Sequence, residues 1–169
     1  MENLLLLLAT SFVYRLAQPS GYKIQPIANT GCSALLPQRN AGFDRSVTDS
    51  GDVLYFHDWS ENNVTYGLIC VQLSESIDLA KAGYMLYQYV EDLRHPCAVD
   101  VHAGIQAAKD WNSTATETVV DYWQDAGGQD WKVKGYTNGR TLAVLYVKNI
   151  GEVDVQRQDQ FLDGFHFSA

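Results

Sequence analysis

At 169 residues, with 46% hydrophobic and 19% charged side chains, the chain has the composition of a globular domain and not that of a disordered protein. Acidic residues outnumber basic ones by 20 to 12, which gives a formal net charge of −8. The sequence contains no run of lysine or arginine that could follow a phosphate backbone, so we predict no nucleic-acid partner.

Residues 4–13, from Leu4 to Val13, form an apolar run. Its length is typical of the hydrophobic core of a signal peptide and is well short of the ~20 residues that span a bilayer as a helix. We therefore predict that residues 1–20 direct export to a secreted, periplasmic or lumenal location, and we predict no transmembrane span. The alternative is a cytoplasmic protein whose N-terminal helix is retained and docks on a partner or peripherally on a membrane.

After residue 20, short runs of alternating apolar and polar residues are typical of β-strands. Pro26 and Pro37 mark the ends of the first two runs. The run at 64–73 is apolar on both sides over its middle, which predicts a central strand with a layer on each face. Residues 38–51 are polar and predict a loop or a wide hairpin connection. Strands are predicted over residues 21–27, 31–36, 53–57 and 64–73, and extended segments over 98–102 and 104–111.

Between residues 77 and 94 the hydrophobic period changes from two to 3.6, which predicts an amphipathic helix. Ser74 or Ser76 can cap its start, and Pro96 prevents its continuation. A second, short helix is predicted around residues 153–162. The buried stripe of the first helix is predicted to contain Leu79, Ala82, Leu86, Val90 and Leu93.

Residues 116–148 are predicted to form a three-stranded antiparallel meander at the C-terminal end of the sheet. Its last turn contains Asn138-Gly139, the pair that tolerates the two positive φ angles of a two-residue type I′ hairpin. This turn would place Val133 opposite Val144 on the core face. The chain from 21 to 169 is thus predicted to be a single α+β domain.

The first turn of the meander is predicted over residues 125–130, which contain Gly127 and Gly128. The register that follows from this turn directs Asp121 toward Lys134 and Trp123 toward Lys132 on the outer face of the sheet. These neighbours would form an ion pair and a cation–π contact. We therefore predict that the outer face of the meander is partly polar and only partly covered.

Four segments, together with the single long amphipathic helix, resemble the PsbP-like superfamily: residues 32–37 (CSALLP), 66–71 (YGLICV), 142–147 (LAVLYV) and 161–167 (FLDGFHF). The resemblance extends in pattern from about residue 21 to residue 167. It implies an antiparallel sheet sandwiched by helices, an α/β/α arrangement, and a non-enzymatic accessory or binding role. These are packing motifs, so no functional residue of the family can be carried over to this chain.

The tryptophans suggest where such binding would occur, because three of the four lie at predicted turns or strand ends. Aromatic side chains grouped on a surface favour protein partners. The competing interpretation is that each ring closes one end of the core with its N–H bonded. The residues predicted to bind a protein partner are Trp59, Trp111, Trp123, Lys132, Lys134 and Tyr136.

A second hypothesis is a small-molecule or metal pocket with weak hydrolase-type activity near His57, Asp100 and His102. No nucleophile motif accompanies these residues, and we predict no cofactor. Cys32 and Cys70 lie in apolar runs and are predicted to be buried as small hydrophobic residues. A third hypothesis is an intracellular adaptor. The hypothesis that we favour from the sequence is a binding protein.

Overall fold

The computed structural model describes residues 21–38, 42–107, 116–149 and 154–168. The structure divides into two compact units. The smaller unit combines the described residues up to Gly42 with those from Asp159 onward, and the larger unit is Phe43–Gln158. The predicted single domain over residues 21–169 stays a prediction.

The described residues form an α+β structure that consists mostly of antiparallel strands, with two helices. The elements are β1 (Tyr22–Pro26), β2 (Cys32–Pro37), β3 (Asp44–Val47), β4 (Val53–Glu61), β5 (Val64–Gln72), α1 (Leu79–Leu93), β6 (Val99–His102), β7 (Gln106–Ala107), β8 (Glu117–Asp125), β9 (Asp130–Thr137), β10 (Thr141–Lys148), α2 (Val155–Asp163) and β11 (His166–Phe167).

The smaller unit contains a three-stranded antiparallel sheet in the order β1-β2-β11. Both β1 and β2 end at proline, as the sequence predicts, because proline cannot donate to the ladder. The alternation in β2 buries Cys32, Ala34 and Leu36 on one side. The predicted burial of Cys32 is therefore confirmed, and Cys70 in the larger unit is buried as well.

The larger unit contains an eight-stranded sheet in the order β3-β4-β5-β10-β9-β8-β6, and β7 also pairs with β8. The predicted central position of β5 is confirmed, since it lies between β4 and β10 and is largely buried. The predicted meander is formed by β8, β9 and β10. Strand β3 lies inside the stretch 38–51 that was predicted to be a loop or a wide hairpin connection, and all four of its residues are exposed.

The eight-stranded sheet has two faces, which we call the helix face and the far face. Helix α1 packs on the helix face against β8, β9 and β10. Its buried residues Ala82, Leu86 and Val90 confirm the predicted stripe. The closest approach is at Gly135, where an added Cβ would lie 2.9 Å from Leu86 Cδ1. Buried residues at the middle of the far face are Leu68, Cys70, Ala143, Leu145 and Val147.

Helix α1 begins later than the serine caps would place it, by four residues for Ser74 and by two for Ser76. The N-cap is Asp78, whose carboxylate accepts a hydrogen bond of 2.9 Å from the Lys81 N–H. Asp78 satisfies one of the N–H groups that a helix start leaves without an intrahelical partner. The predicted caps Ser74 and Ser76 are therefore wrong, although the helix itself and its end before Pro96 are confirmed.

The type I′ geometry predicted for the last hairpin occurs instead between β4 and β5. Asn62 and Asn63 have φ angles of 51° and 63° and form a two-residue loop there. At the last hairpin the Asn138 carboxamide accepts the N–H groups of Arg140 and Thr141. That loop is longer, so Val133 pairs with Tyr146 and not with Val144. A shift of two residues keeps the predicted faces.

The β8–β9 hairpin differs from the prediction by one residue, which reverses its faces. The Asp125 N–H donates to the Gln129 carbonyl at 3.0 Å, so the loop between these residues has three members. Gly128 supplies the positive φ, 76°, that a three-residue loop of this kind requires. Trp123 consequently pairs with Trp131, and both indoles lie on the helix face.

Candidate functional site

The far face of the sheet carries four of the residues that the sequence predicts to bind a partner. Lys132, Lys134 and Tyr136 alternate along β9 and are half-buried. Trp59 lies on β4 in the same row of the sheet as Lys132, since Trp59 pairs with Tyr66 and the row continues through β10. The structure therefore brings these side chains to one face, in two groups that are three strands apart.

The β8–β9 part of the far face combines lysines with tyrosine rings. Lys132 Nζ lies 5.7 Å from the centroid of the Tyr122 ring, and Lys134 Nζ lies 5.4 Å from that of Tyr136. Such distances permit cation–π attraction, worth about 0.5–1 kcal/mol at exposed sites. We call Tyr122, Lys132, Lys134 and Tyr136 the lysine–tyrosine surface.

Two exposed hydrophobic residues extend this surface toward the edge of the sheet. Tyr122 is 44% exposed, and Val101 on the neighbouring β6 is 60% exposed. Val101 pairs with Gln124, two residues from Tyr122 and on the same face. Large apolar side chains that stay exposed next to one another often mark a surface that binds a partner.

Trp123 does not belong to this surface, and its predicted outward position is wrong. It is 3% exposed, and its ring lies 6.0 Å from that of Trp131 on the helix face. Its indole N–H donates to Asp121 Oδ2 at 2.7 Å. The competing interpretation, a core tryptophan with a bonded N–H, therefore holds for Trp123. The cation–π partner of Lys132 is Tyr122 instead.

Asp121 is the centre of a buried ionic cluster on the helix face. It is 1% exposed, and Oδ2 also accepts a 2.6 Å bond from Arg94 Nη2. Oδ1 accepts the Tyr122 N–H at 2.9 Å. Arg94 Nη1 completes the cluster with Glu91 Oε1 at 2.7 Å. The predicted Asp121–Lys134 ion pair is thus replaced by one to Arg94, and a buried charge of this kind must be paired to be tolerated.

Asp125 performs a related task at the β8–β9 turn. Its carboxylate accepts the Trp131 indole N–H at 3.0 Å and forms an ion pair of 3.0 Å with Lys148 Nζ. It also accepts the N–H groups of Gly127 and Gln129. Burial of the carboxyl opposes its ionisation, but these bonds outweigh it and lower the pKa of Asp125 to about 2. Both aspartates therefore anchor a tryptophan.

Trp59 takes part in a stack of aromatic rings on the β4–β5 part of the far face. The ring of Trp59 lies 5.4 Å from that of His57 and 5.4 Å from that of Tyr66, and both pairs are stacked. Phe43 continues the stack beyond His57 at 5.6 Å. The guanidinium of Arg157 lies over the Tyr66 ring at 5.7 Å. Trp59 is thus half-buried and held by neighbouring rings.

The three residues predicted as metal ligands do not come together. His57 lies on β4, while Asp100 and His102 lie on β6 at the other end of the sheet. Five strand spacings of about 4.8 Å, or about 24 Å, separate the two strands. Within the part of the chain that the structure describes, no group of three His, Cys, Asp or Glu side chains is placed to hold a metal. The predicted grouping is not formed.

Trp111, which the sequence also predicts to bind a partner, lies outside the described residues.

Comparison of the sequence with protein-family models and with curated proteins yields no match. Among the residues with described positions, no helix has both the length and the apolar character needed to cross a membrane.

Sequence reasoning did not identify Tyr122 or Val101 as surface residues. The signal was present in the turn, because Asp125 followed by Gly127 and Gly128 is typical of a loop whose own aspartate caps it. A three-residue loop at this place would have directed Tyr122 outward. For Val101 the sequence contains no such signal, since its exposure depends on β6 being an edge strand.

Proposed function

We propose that this protein is a non-enzymatic binding protein of accessory type, and that it docks an acidic segment of a protein partner on the lysine–tyrosine surface. The observation that carries the proposal is the exposed Tyr122 ring beside Lys132, with Val101 exposed next to them on the same face. Tyrosine is among the residues that contribute most binding energy at protein interfaces.

The charge of the surface supports an acidic partner. The chain as a whole has a formal charge of −8, yet this part of the far face presents two lysines in adjacent rows. The nearest acid on the same strand and face, Asp130, accepts a hydrogen bond from Gln124 Nε2 at 2.9 Å. Lysines in such a position steer an acidic segment and set its orientation, while the tyrosine supplies apolar contact area.

The finer fold assignment, an antiparallel sheet sandwiched by helices as in PsbP-like proteins, is part of the same proposal. Burial of β5 on both faces and the packing of α1 on one of them support it. Export to a secreted, periplasmic or lumenal location is likewise proposed, and the apolar run at residues 4–13 supports it.

The test is affinity isolation of the tagged protein from its native source, with variants compared side by side. The test variant combines Lys132→Gln with Lys134→Gln, and the control combines Lys23→Gln with Arg45→Gln, an exposed lysine and an exposed arginine elsewhere in the chain. Both variants carry the same net charge, so a nonspecific effect of charge is matched.

We expect a protein that is retained by the wild type and the control and is lost from the test variant. Its contact segment should be rich in Asp or Glu, and raised salt should weaken the complex. Identical sets of retained proteins for both variants would exclude the lysine–tyrosine surface as the docking site.

A further inference from the structure

Helix α1 exposes two tyrosines on the side that faces away from the sheet. Tyr84 is 65% exposed and Tyr87 is 43% exposed, whereas Leu86 between them is completely buried. Residues three apart on a helix are neighbours, so the two rings share one stripe of the helix surface. These are two of the largest exposed apolar groups of the described residues, and neither contributes to the core cluster beneath the helix.

Carboxylates flank the tyrosine pair. Glu91 lies one turn beyond Tyr87 on the same stripe and keeps about a third of its side chain exposed while it pairs with Arg94. Glu117, at the start of β8, is exposed and lies against Gly83, where an added Cβ would meet Glu117 Cγ at 3.1 Å. Gly83 and Tyr87 are four residues apart and are neighbours on the helix surface, so Glu117 borders the ring pair on the Tyr87 side. We call Tyr84, Tyr87, Glu91 and Glu117 the acidic tyrosine surface.

We propose that the acidic tyrosine surface is a second docking site, which binds an arginine-rich segment of a protein partner. A guanidinium group stacks on tyrosine rings and pairs with carboxylates through its planar fork, and this surface offers both kinds of acceptor side by side. The overall charge of −8 attracts a cationic segment from a distance. Lys81, one turn before Tyr84, lies on the other flank and orients the segment toward the glutamates.

This site is independent of the proposed function, because it lies on the opposite side of the same sheet and has the opposite charge. Helix α1 covers the helix face, and the lysine–tyrosine surface is on the far face. A protein with both sites can bridge an acidic segment and a cationic one, which is a role that neither site has alone.

The test measures binding of a fluorescently labelled peptide of alternating arginine and glycine to the full chain by fluorescence anisotropy. The test variant combines Tyr84→Ser with Tyr87→Ser, which leaves every charge in place. The matched control combines Ile24→Ser with Val47→Ser, which removes two exposed hydrophobic side chains that belong to neither docking surface. A second pair compares Glu117→Gln with Glu75→Gln, an exposed acid elsewhere in the chain. Circular dichroism confirms that each variant is folded.

We expect saturable binding that is about five to twenty times weaker in the double tyrosine variant and unchanged in the Ile24→Ser, Val47→Ser control. Glu117→Gln should weaken binding more than Glu75→Gln does. Absence of binding to the wild type, equal binding by the tyrosine variant, or equal effects of the two glutamate variants would each overturn the proposal.

Sedimentation of the unliganded protein separates this proposal from self-association. An apparent molecular mass that rises with concentration for the wild type but not for the Tyr84→Ser, Tyr87→Ser variant would show that the surface binds a second copy. That result would overturn the proposal of a cationic partner. A monomer at all concentrations, with peptide binding as described, supports it.

Discussion

The two faces of the β8–β9 hairpin use the same strands for opposite purposes. On the helix face, Asp121 and Asp125 each hold a tryptophan N–H and a cation, and both carboxylates are buried. On the far face, Lys132 lies over the half-exposed ring of Tyr122. The carboxylates on the first face are bonded within the packing, whereas the lysines on the second lie beside tyrosine rings and are half-buried.

This difference follows from burial, since a buried charge without a partner is very unfavourable and an exposed one is solvated by water. Neighbouring residues such as Asp121 and Tyr122 therefore differ in what they control. Changes on the helix face should alter stability, and changes on the far face should alter binding.

The largest effect is expected for Asp121→Ala, which removes the buried carboxylate that pairs with Arg94 and leaves the Trp123 N–H without its acceptor. Removal of one member of a buried ion pair costs about 3–5 kcal/mol. Urea unfolding followed by tryptophan fluorescence should show this loss of unfolding free energy. The control Asp130→Ala, an exposed acid of the far face, should change it by about 0.5 kcal/mol or less. Similar losses for the two variants would contradict the division between the faces.

A smaller loss is expected for Gly135→Ala on the helix face. The new methyl group would meet the Leu86 and Val119 side chains at 2.9 Å, so these side chains or the elements that carry them must shift. Overpacking of this kind costs about 1–3 kcal/mol. Lys134→Ala, the next residue but on the far face, is the control and should leave the thermal midpoint nearly unchanged. If Gly135→Ala is as stable as the control, α1 is not packed tightly on β9.

The third effect is a pH dependence that belongs to Asp125. Because the folded-state pKa is about 2 and the ordinary value is 3.8, its stabilisation is present above about pH 4 and is lost as the pH falls toward 2. Asp125→Asn should be less stable at neutral pH, and its stability should fall less steeply between pH 4 and 2. Denaturant unfolding at several pH values measures both slopes. The Asp130 carboxylate lacks this set of bonds, so the Asp130→Asn variant should retain the wild-type slope.

The smallest effect on stability is expected on the far face, for Tyr122→Ser combined with Lys132→Gln. Surface substitutions of this kind usually change the unfolding free energy by about 0.5 kcal/mol or less. Loss of an exposed tyrosine and a rim lysine should weaken partner binding about tenfold or more. An unfolding free energy several kcal/mol below that of the wild type would show that Tyr122 belongs to the core.

Strand and helix positions were largely accessible from the sequence, because they depend on local periodicity. The central strand β5, the meander, and the stripe of α1 through Leu86 were predicted correctly. The candidate site was only partly accessible. Lys132, Lys134 and Tyr136 were placed on the right face, while Trp123 was placed on the wrong one.

The lengths of two loops explain why the β9 residues were placed on the right face and Trp123 on the wrong one. At Asn138 a longer loop shifts the pairing by two residues, which keeps the faces, whereas at Asp125 a three-residue loop shifts it by one and reverses them. Side-chain hydrogen bonds inside each turn determine these lengths, and the dipeptide alone does not reveal which bonds form.

The sequence by itself determined the composition of the sheet, the amphipathic helix and the alternation that separates core from surface along each strand, since these depend on spacing between near neighbours. Only the tertiary structure decided which face each β8 residue takes, that Arg94 pairs with Asp121, and that His57 lies far from His102. Those relations join residues distant in sequence, and they are selected by burial and by the need to pair every buried charge.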